Sequence, residues 1–312
     1  MPEFSFFQGQ VVPTSEAKIS IRTHAFNYGT AVFEGIRGNW NEDTNQVFLF
    51  RLREHYERLV RSAQVLNIKI AYTVDEMCDI TTKLVAKCGF KEDIYIRPIA
   101  YKSSDIVGLR VHDLDDDFLI YVTPFGNYLE SDKGIRCCIA SWSRIDDNMI
   151  PAGAKINGVY VNSSLAKTEA VWSGFDEAIL LTSTGHVSEG SGENIFLVKN
   201  GALVTPDLSS NILEGITRST VIELAEAELG LTTTERRINR SELFLAEEVF
   251  MTGTAAHVTP IIGIDGRSVG DGTIGPITKR VQDLYFDIVK GKDDKYIHWC
   301  TPALAPAITN SL

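Results

Sequence analysis

Cysteine is scarce and unpatterned in this chain. Cys78, Cys88, Cys137, Cys138 and Cys300 make an odd count with no CxxC pair. That excludes a disulfide framework and a zinc ribbon, and reduced, mostly buried thiols are expected. The 6 histidines form no HExxH-like ligand pattern, so no metal is expected. No apolar run approaches the roughly 20 residues of a membrane span. The N-terminus, MPEFSFFQGQVV, lacks the basic start and apolar core of a signal peptide. A cytosolic protein with no membrane partner is the expectation. Basic residues are outnumbered, 30 Lys and Arg against 41 Asp and Glu, and they form no stripe. A net charge of −11 without a basic face argues against a nucleic-acid partner. A local pocket for a small anion stays open. No internal repeat or low-complexity segment is present.

What is present is 44% hydrophobic and 23% charged residues over 312 positions, the profile of a globular protein. The length exceeds one ordinary core of roughly 100–200 residues, so two domains are expected. Residues 1–125 read as alternating strands and helices. Gln46 to Phe50 is a short strand, and Leu52, His55, Tyr56, Leu59, Ala63 and Leu66 follow at helical spacing. Thr73 to Glu76 is a capping box opening a second helix that Gly89 stops. Strands are expected at 94–101 and 118–123, with a solvated turn at 113–117. Residues 126–134 read as an interdomain loop. Residues 135–312 are richer in strands, with a hairpin at Asn200-Gly201 and helices near 156–173, 217–229 and 276–290. The segment from Asp293 onward has weak periodicity and reads as an irregular tail.

Lys155 stands in Ile150-Pro-Ala-Gly-Ala-Lys155-Ile-Asn-Gly-Val-Tyr160, small residues leading into a helical pattern. A lysine on such lean backbone suits a Schiff-base nucleophile, which needs a carbonyl held beside it. An aldehyde cofactor such as pyridoxal phosphate makes three further demands: a phosphate cradle, an acid at the pyridine nitrogen and a substrate pocket. Leu213 to Arg218 leads into a helix, with Gly215 for close approach and Thr217 as its N-cap. An ordinary capped helix fits the same residues. The turn Thr252 to Ala256 offers further backbone donors, and Arg53 begins a helix directly after a strand. Ser188 to Asn194 is dense in small residues and carries carboxylates from which the acid could come; a solvated Gly-rich turn is the alternative. In Asp93 to Pro98, Tyr95 and Arg97 share one strand face, suited to a ligand with an apolar body and a carboxylate. An edge strand with a polar face fits equally, and Pro98 suits an edge.

Seven runs in order resemble the branched-chain amino-acid aminotransferases, class IV aminotransferases of fold type IV. They are His24 to Arg37, Phe50 to His55, Tyr95 to Pro98, the Lys155 segment, Ser188 to Asn194, Gly215 to Arg218 and Phe250 to Ala256. The resemblance implies an α+β, two-domain enzyme with a smaller α/β N-terminal domain and a larger, strand-rich, cofactor-binding C-terminal domain. It implies pyridoxal phosphate on Lys155, which also shuttles the proton between Cα and C4′. Glu193 would partner the pyridine nitrogen and Tyr160 the ring O3′. Arg53, Ile216, Thr217 and Thr254 would hold the phosphate. Phe33, Tyr95, Arg97, Tyr128, Thr254 and Ala255 would wall the substrate pocket, with Tyr28 from a neighbouring subunit of a homodimer or higher homo-oligomer. The substrates implied are L-leucine, L-isoleucine and L-valine with 2-oxoglutarate, one pocket accepting a branched apolar side chain or, at Arg97, the γ-carboxylate of glutamate. Arg110 departs from the small, apolar loop common in the family. It keeps open an (R)-amine or D-amino-acid transaminase, and a catalytically silent binding protein is the reading from another class.

Overall fold

The computed structural model describes residues 3–126, 129 and 132–304. Its two compact units each carry their own sheet. The first contains residues up to Gly126, Ala154–Gly158 and the stretch from Asp287; the second contains Val159–Phe286 and the residues from 127 to Gly153. Two pieces depart from a linear division. Ala154–Gly158 goes with the first unit because Ile156 bridges Val32, and the Phe33 N–H donates to the Lys155 carbonyl at 3.1 Å. The stretch from Asp287 does so because Cys300–Pro302 pairs with Gln46–Phe50, and the Asn41 amide donates to the Lys290 carbonyl. Of the expected irregular tail, the described part therefore contains a 3-10 turn, Ile297–Trp299, followed by this edge strand, and 305–312 lie outside the described residues. The Arg51 guanidinium lies 3.9 Å over the Trp299 ring there. Such pairing is long-range in sequence, so local periodicity does not report it.

The eight-stranded sheet of the first unit is antiparallel. Its helices cover a hairpin-built sheet and do not link parallel strands, consistent with an α+β class. The strand Ile94–Lys102 is central: it pairs with Asp116–Pro124 on one side and with Ile36–Asn41 and Ala31–Phe33 on the other. This excludes the edge-strand alternative. Pro98 is tolerated inside the sheet because it falls where Ile36–Asn41 gives way to Ala31–Phe33. Its carbonyl still accepts from the Glu34 N–H at 3.0 Å. Ile94 and Ile96 are buried on one face, and Tyr95 and Arg97 are half-buried on the other.

The helix Leu52–Val65 buries Leu52, His55, Tyr56, Arg58, Leu59, Ser62 and Ala63, a stripe at helical spacing that includes three polar residues. The helix Val74–Cys88 carries the expected capping box: Thr73 Oγ1 accepts from the Glu76 N–H, and Glu76 accepts from the Thr73 N–H. Gly89 ends it at φ 66°, a left-handed position that favours glycine.

In the second unit the nine-stranded sheet mixes parallel and antiparallel pairs. Ile135–Ser143 runs parallel to both Glu177–Leu181 and His257–Ile264. Ile135, Ile179, Ile195, Val249, Met251 and Ile261 build its core. Ala166 and Ala170 of the helix Tyr160–Trp172 cluster with Ala178 and Leu180. Asn200 and Gly201 both have positive φ, 52° and 70°, and close the expected hairpin between Asn194–Lys199 and Ala202–Thr205.

Gly38 sits where a Cβ would come within 2.6 Å of Ile94 Cγ1 and 2.7 Å of Val47 Cγ1. Gly38→Ala therefore overpacks the first unit and should lower its stability by about 1–3 kcal/mol in urea unfolding. An unchanged midpoint would contradict this packing.

Candidate active site

The first unit seats Lys155 through its backbone. Its N–H donates to Ser62 Oγ at 3.0 Å, and its carbonyl accepts from Phe33. Small residues explain the fit: Gly29 and Gly158 pass so closely that a Cβ on Gly29 would come 3.0 Å from the Gly158 Cα. The Lys155 Nζ then lies 5.0 Å over the Phe33 ring. The same ring carries the Arg97 guanidinium at 4.3 Å, and Arg97 Nη2 donates to the Tyr95 hydroxyl at 3.1 Å. The Tyr95 phenol packs where a Cβ on Gly35 would be. Lys155, Phe33, Tyr95 and Arg97 are thus gathered together. Arg97 Nε is buried without a hydrogen-bond partner among the described residues, so a polar group is wanted there.

Tyr28 is partly exposed at the end of the short helix His24–Tyr28, and its hydroxyl accepts from the Gly108 N–H at 3.2 Å. Arg110 is exposed. Tyr128 lies outside the described residues.

In the second unit Glu193 is buried, 4% exposed, and accepts from the Gly192 N–H at 3.0 Å. Glycines make its room. A Cβ on Gly190 would stand 2.7 Å from Glu193 Oε2, and one on Gly253 3.4 Å from its Cγ. Burial first, and then the neighbouring Glu177 charge, push the carboxyl up to about 8 against the Gly192 hydrogen bond. Such a carboxyl readily shares a proton with a basic ring nitrogen. The helix Ile216–Leu229 begins at Gly215, so Thr217 is its second residue and not the expected N-cap. Gly215 is extended, φ −73° and ψ 134°, and has no side chain with which to cap the first turn. The start of this helix, with Ile216 and Thr217, suits an anion. Thr254 and Ala255 are half-buried in the turn between Glu248–Gly253 and His257–Ile264, and Tyr160 opens the helix Tyr160–Trp172.

Residues 31–264 match the family model for class IV amino-transferases. The chain is 52% identical to the probable branched-chain-amino-acid aminotransferase of Aquifex aeolicus over 96% of each chain. The chain belongs to the class IV aminotransferases, in their branched-chain group. The branched-chain aminotransferase of Thermoproteus uzoniensis, solved with norvaline, superposes with a TM-score of 0.93 at 45% identity, covering 97% of this chain and 100% of that one. The T.th. branched-chain amino acid aminotransferase complexed with N-(5'-phosphopyridoxyl)-L-glutamate superposes with a TM-score of 0.92 at 40% identity, covering 97% and 99%. Class IV aminotransferases bind pyridoxal phosphate, and the residues here fit it: a seated lysine, a buried carboxyl of raised proton affinity and an anion-ready helix start.

Arg53 requires a correction. It projects to solvent from Leu52–Val65 and pairs with Asp75. Arg58, five residues and about 140° around the helix, lies on the buried face instead. Its guanidinium grips Glu34 through Nε at 2.6 Å and Nη2 at 2.8 Å, and His55 Nδ1 meets the same carboxylate at 2.8 Å. Burial opposes charge on Glu34, yet Arg58 and His55 hold it well below the usual carboxylate range. Burial lowers His55, with the Arg58 and Lys155 charges adding to it against Glu34. The signal for Arg58 was available in the sequence: His55, Arg58, Leu59 and Ser62 share the apolar stripe.

Arg58→Ala leaves Glu34 buried without its cation and should cost about 3–5 kcal/mol in denaturant unfolding, with loss of bound cofactor. Arg53→Ala should leave stability and cofactor retention unchanged; equal losses in the two variants would contradict the assignment.

A second outcome concerns pH. The Glu193 carboxyl binds its proton more tightly folded, about 8, than at its ordinary value of 4.5. Its contribution is complete below about 4.5 and is lost as pH rises towards 8. In cofactor-free protein, the fall in Tm between those pH values should be shallower in Glu193→Gln than in the parent.

Proposed function

We propose that this enzyme transfers the amino group of L-leucine, L-isoleucine or L-valine to 2-oxoglutarate in a ping-pong cycle. The observation that carries this reading is the Phe33–Tyr95–Arg97 group gathered at Lys155: two aromatic rings suit a branched aliphatic side chain, and one guanidinium suits a carboxylate. The norvaline and phosphopyridoxyl-glutamate complexes of the relatives support both halves of the pair.

Pyridoxal phosphate, when bound, supplies an aldehyde for the amino group and an electron-withdrawing ring that makes the Cα–H acidic. Lys155 Nζ would hold the cofactor and would carry the proton between Cα and C4′. Its backbone, pinned at both the N–H and the carbonyl, limits where Nζ can reach. Glu193 holds the proton on the ring nitrogen. Tyr160 orients the ring O3′. Ile216, through its N–H, with Thr217 and Thr254 binds the phosphate, and the buried Arg58 takes the place expected of Arg53 as the added cation. Tyr95 and Arg97 select the substrate, with Phe33, Tyr128 and Ala255 as walls. Phe26, Val107 and Leu109 are exposed around Tyr28, which supports a homodimer or higher homo-oligomer with this surface covered by a second copy. The cytosol is the proposed location. The (R)-amine and D-amino-acid reading that Arg110 kept open is not favoured, since the relatives named above are branched-chain aminotransferases.

Lys155→Ala should abolish the visible absorbance of the lysine-bound cofactor and nearly all turnover; parental rates would sink the reading. Comparing kcat/KM for L-leucine, D-alanine and (R)-1-phenylethylamine tests the substrate class, and only L-leucine should be efficient. Arg97→Ala should cost about 10–100-fold in kcat/KM for 2-oxoglutarate, the worth of a charged hydrogen bond, and far less for L-leucine.

A further inference from the structure

The second unit contains a buried polar cluster that the reaction does not use directly. Glu189, on the strand Val187–Gly190, and Asn194, at the start of Asn194–Lys199, are each 5% exposed. Together they grip Leu213, two residues before the glycine that opens the helix Ile216–Leu229. The Leu213 N–H donates to Glu189 Oε2 at 3.0 Å. The Leu213 carbonyl accepts from Asn194 Nδ2 at 2.9 Å. Asn194 Nδ2 also donates to Glu189 Oε2 at 3.1 Å, so both residues are held by each other as well as by Leu213.

The remaining Glu189 oxygen pairs with Arg144 Nη2 at 2.8 Å, and Arg144 is itself 8% exposed. Arg144 Nε reaches the Asn211 carbonyl at 3.4 Å, and the Ser188 hydroxyl donates to the Ser210 carbonyl at 2.7 Å. Ser210 and Leu213 are thereby tied directly to the strands that flank Glu193, and Asn211 through the Arg144–Glu189 pair. Asn194 Oδ1 also fills the space that a Cβ on Gly215 would take. This gives Gly215 a packing reason beyond its role as N-cap.

Glu193 lies inside the same bracket. It directly precedes Asn194, and its carbonyl accepts from the Gly190 N–H at 2.6 Å, next to Glu189. One clamp thus links the carboxyl proposed for the ring nitrogen to the helix start proposed for the phosphate. The pyridine ring is rigid and its phosphate arm is short, so both anchors serve together only within a narrow range of spacings.

We propose that Glu189 and Asn194 are positioning residues that set the distance between Glu193 and the first turn of the helix Ile216–Leu229. Arg144 neutralises the buried Glu189 charge that the clamp requires. The inference rests on the assignment of Glu193 and Ile216–Thr217 to the cofactor.

The test compares pyridoxal phosphate with unphosphorylated pyridoxal, titrated into the resolved parent, Glu189→Gln and Asn194→Ala. The parent should bind the phosphorylated form much more tightly. Each variant should weaken pyridoxal phosphate about tenfold or more and pyridoxal by less than about twofold, because ring contacts survive while the phosphate falls out of register. Equal weakening of both ligands, or none, overturns the inference while leaving the assignment standing. A parent with no preference for the phosphorylated form overturns the assignment too. If Glu189→Gln fails to fold, Asn194→Ala, which buries no unpaired charge, carries the comparison alone.

Discussion

The Lys155 backbone is held at both ends, by Ser62 Oγ on its N–H and by the Phe33 N–H on its carbonyl. A flexible side chain can deliver its amine to one place only if its Cα is fixed, and these bonds fix it. They also explain why five residues in the middle of the chain pack with the first unit, although the residues on both sides belong to the second. The glycines at 29 and 158 are consequences of that close seating, and the Arg97–Phe33 stack forms on the strand that provides it.

Two buried carboxylates in the chain are treated in opposite ways. Glu34 meets a bidentate arginine and a histidine, which outweigh its burial and keep it ionised. Glu193 meets a backbone N–H and neighbouring carboxylates, and its affinity for a proton rises. The same functional group becomes a structural anion in one place and a proton holder in the other. Small residues make the second environment possible, since a methyl group at Gly190 would press on the Glu193 carboxylate.

Much of the fold was legible in the chain. The helix from Leu52, the capping box at Thr73, the hairpin at Asn200-Gly201 and most strands follow from period and turn chemistry. The candidate site was legible as an ordered set of motifs. Less so were the individual roles that depend on which side of a helix a residue faces. Arg53 and Arg58 lie in one helix, and only the buried stripe separates a surface ion pair from an interior one. Thr217 looked like a cap because threonine is a good one, yet the extended backbone at Gly215 starts the helix two residues earlier.

The sequence by itself determined the family, and it singled out Lys155 as the candidate Schiff-base lysine, because both readings depend on residue types in a fixed order. Tertiary structure decided what depends on distant partners. It placed Cys300–Pro302 against Gln46–Phe50, put Pro98 in the middle of a sheet at the one break that tolerates it, and joined Glu189 and Asn194 across Leu213. Hydrogen bonds between remote segments leave no period in the chain, so only the folded backbone reveals which groups they bring within reach.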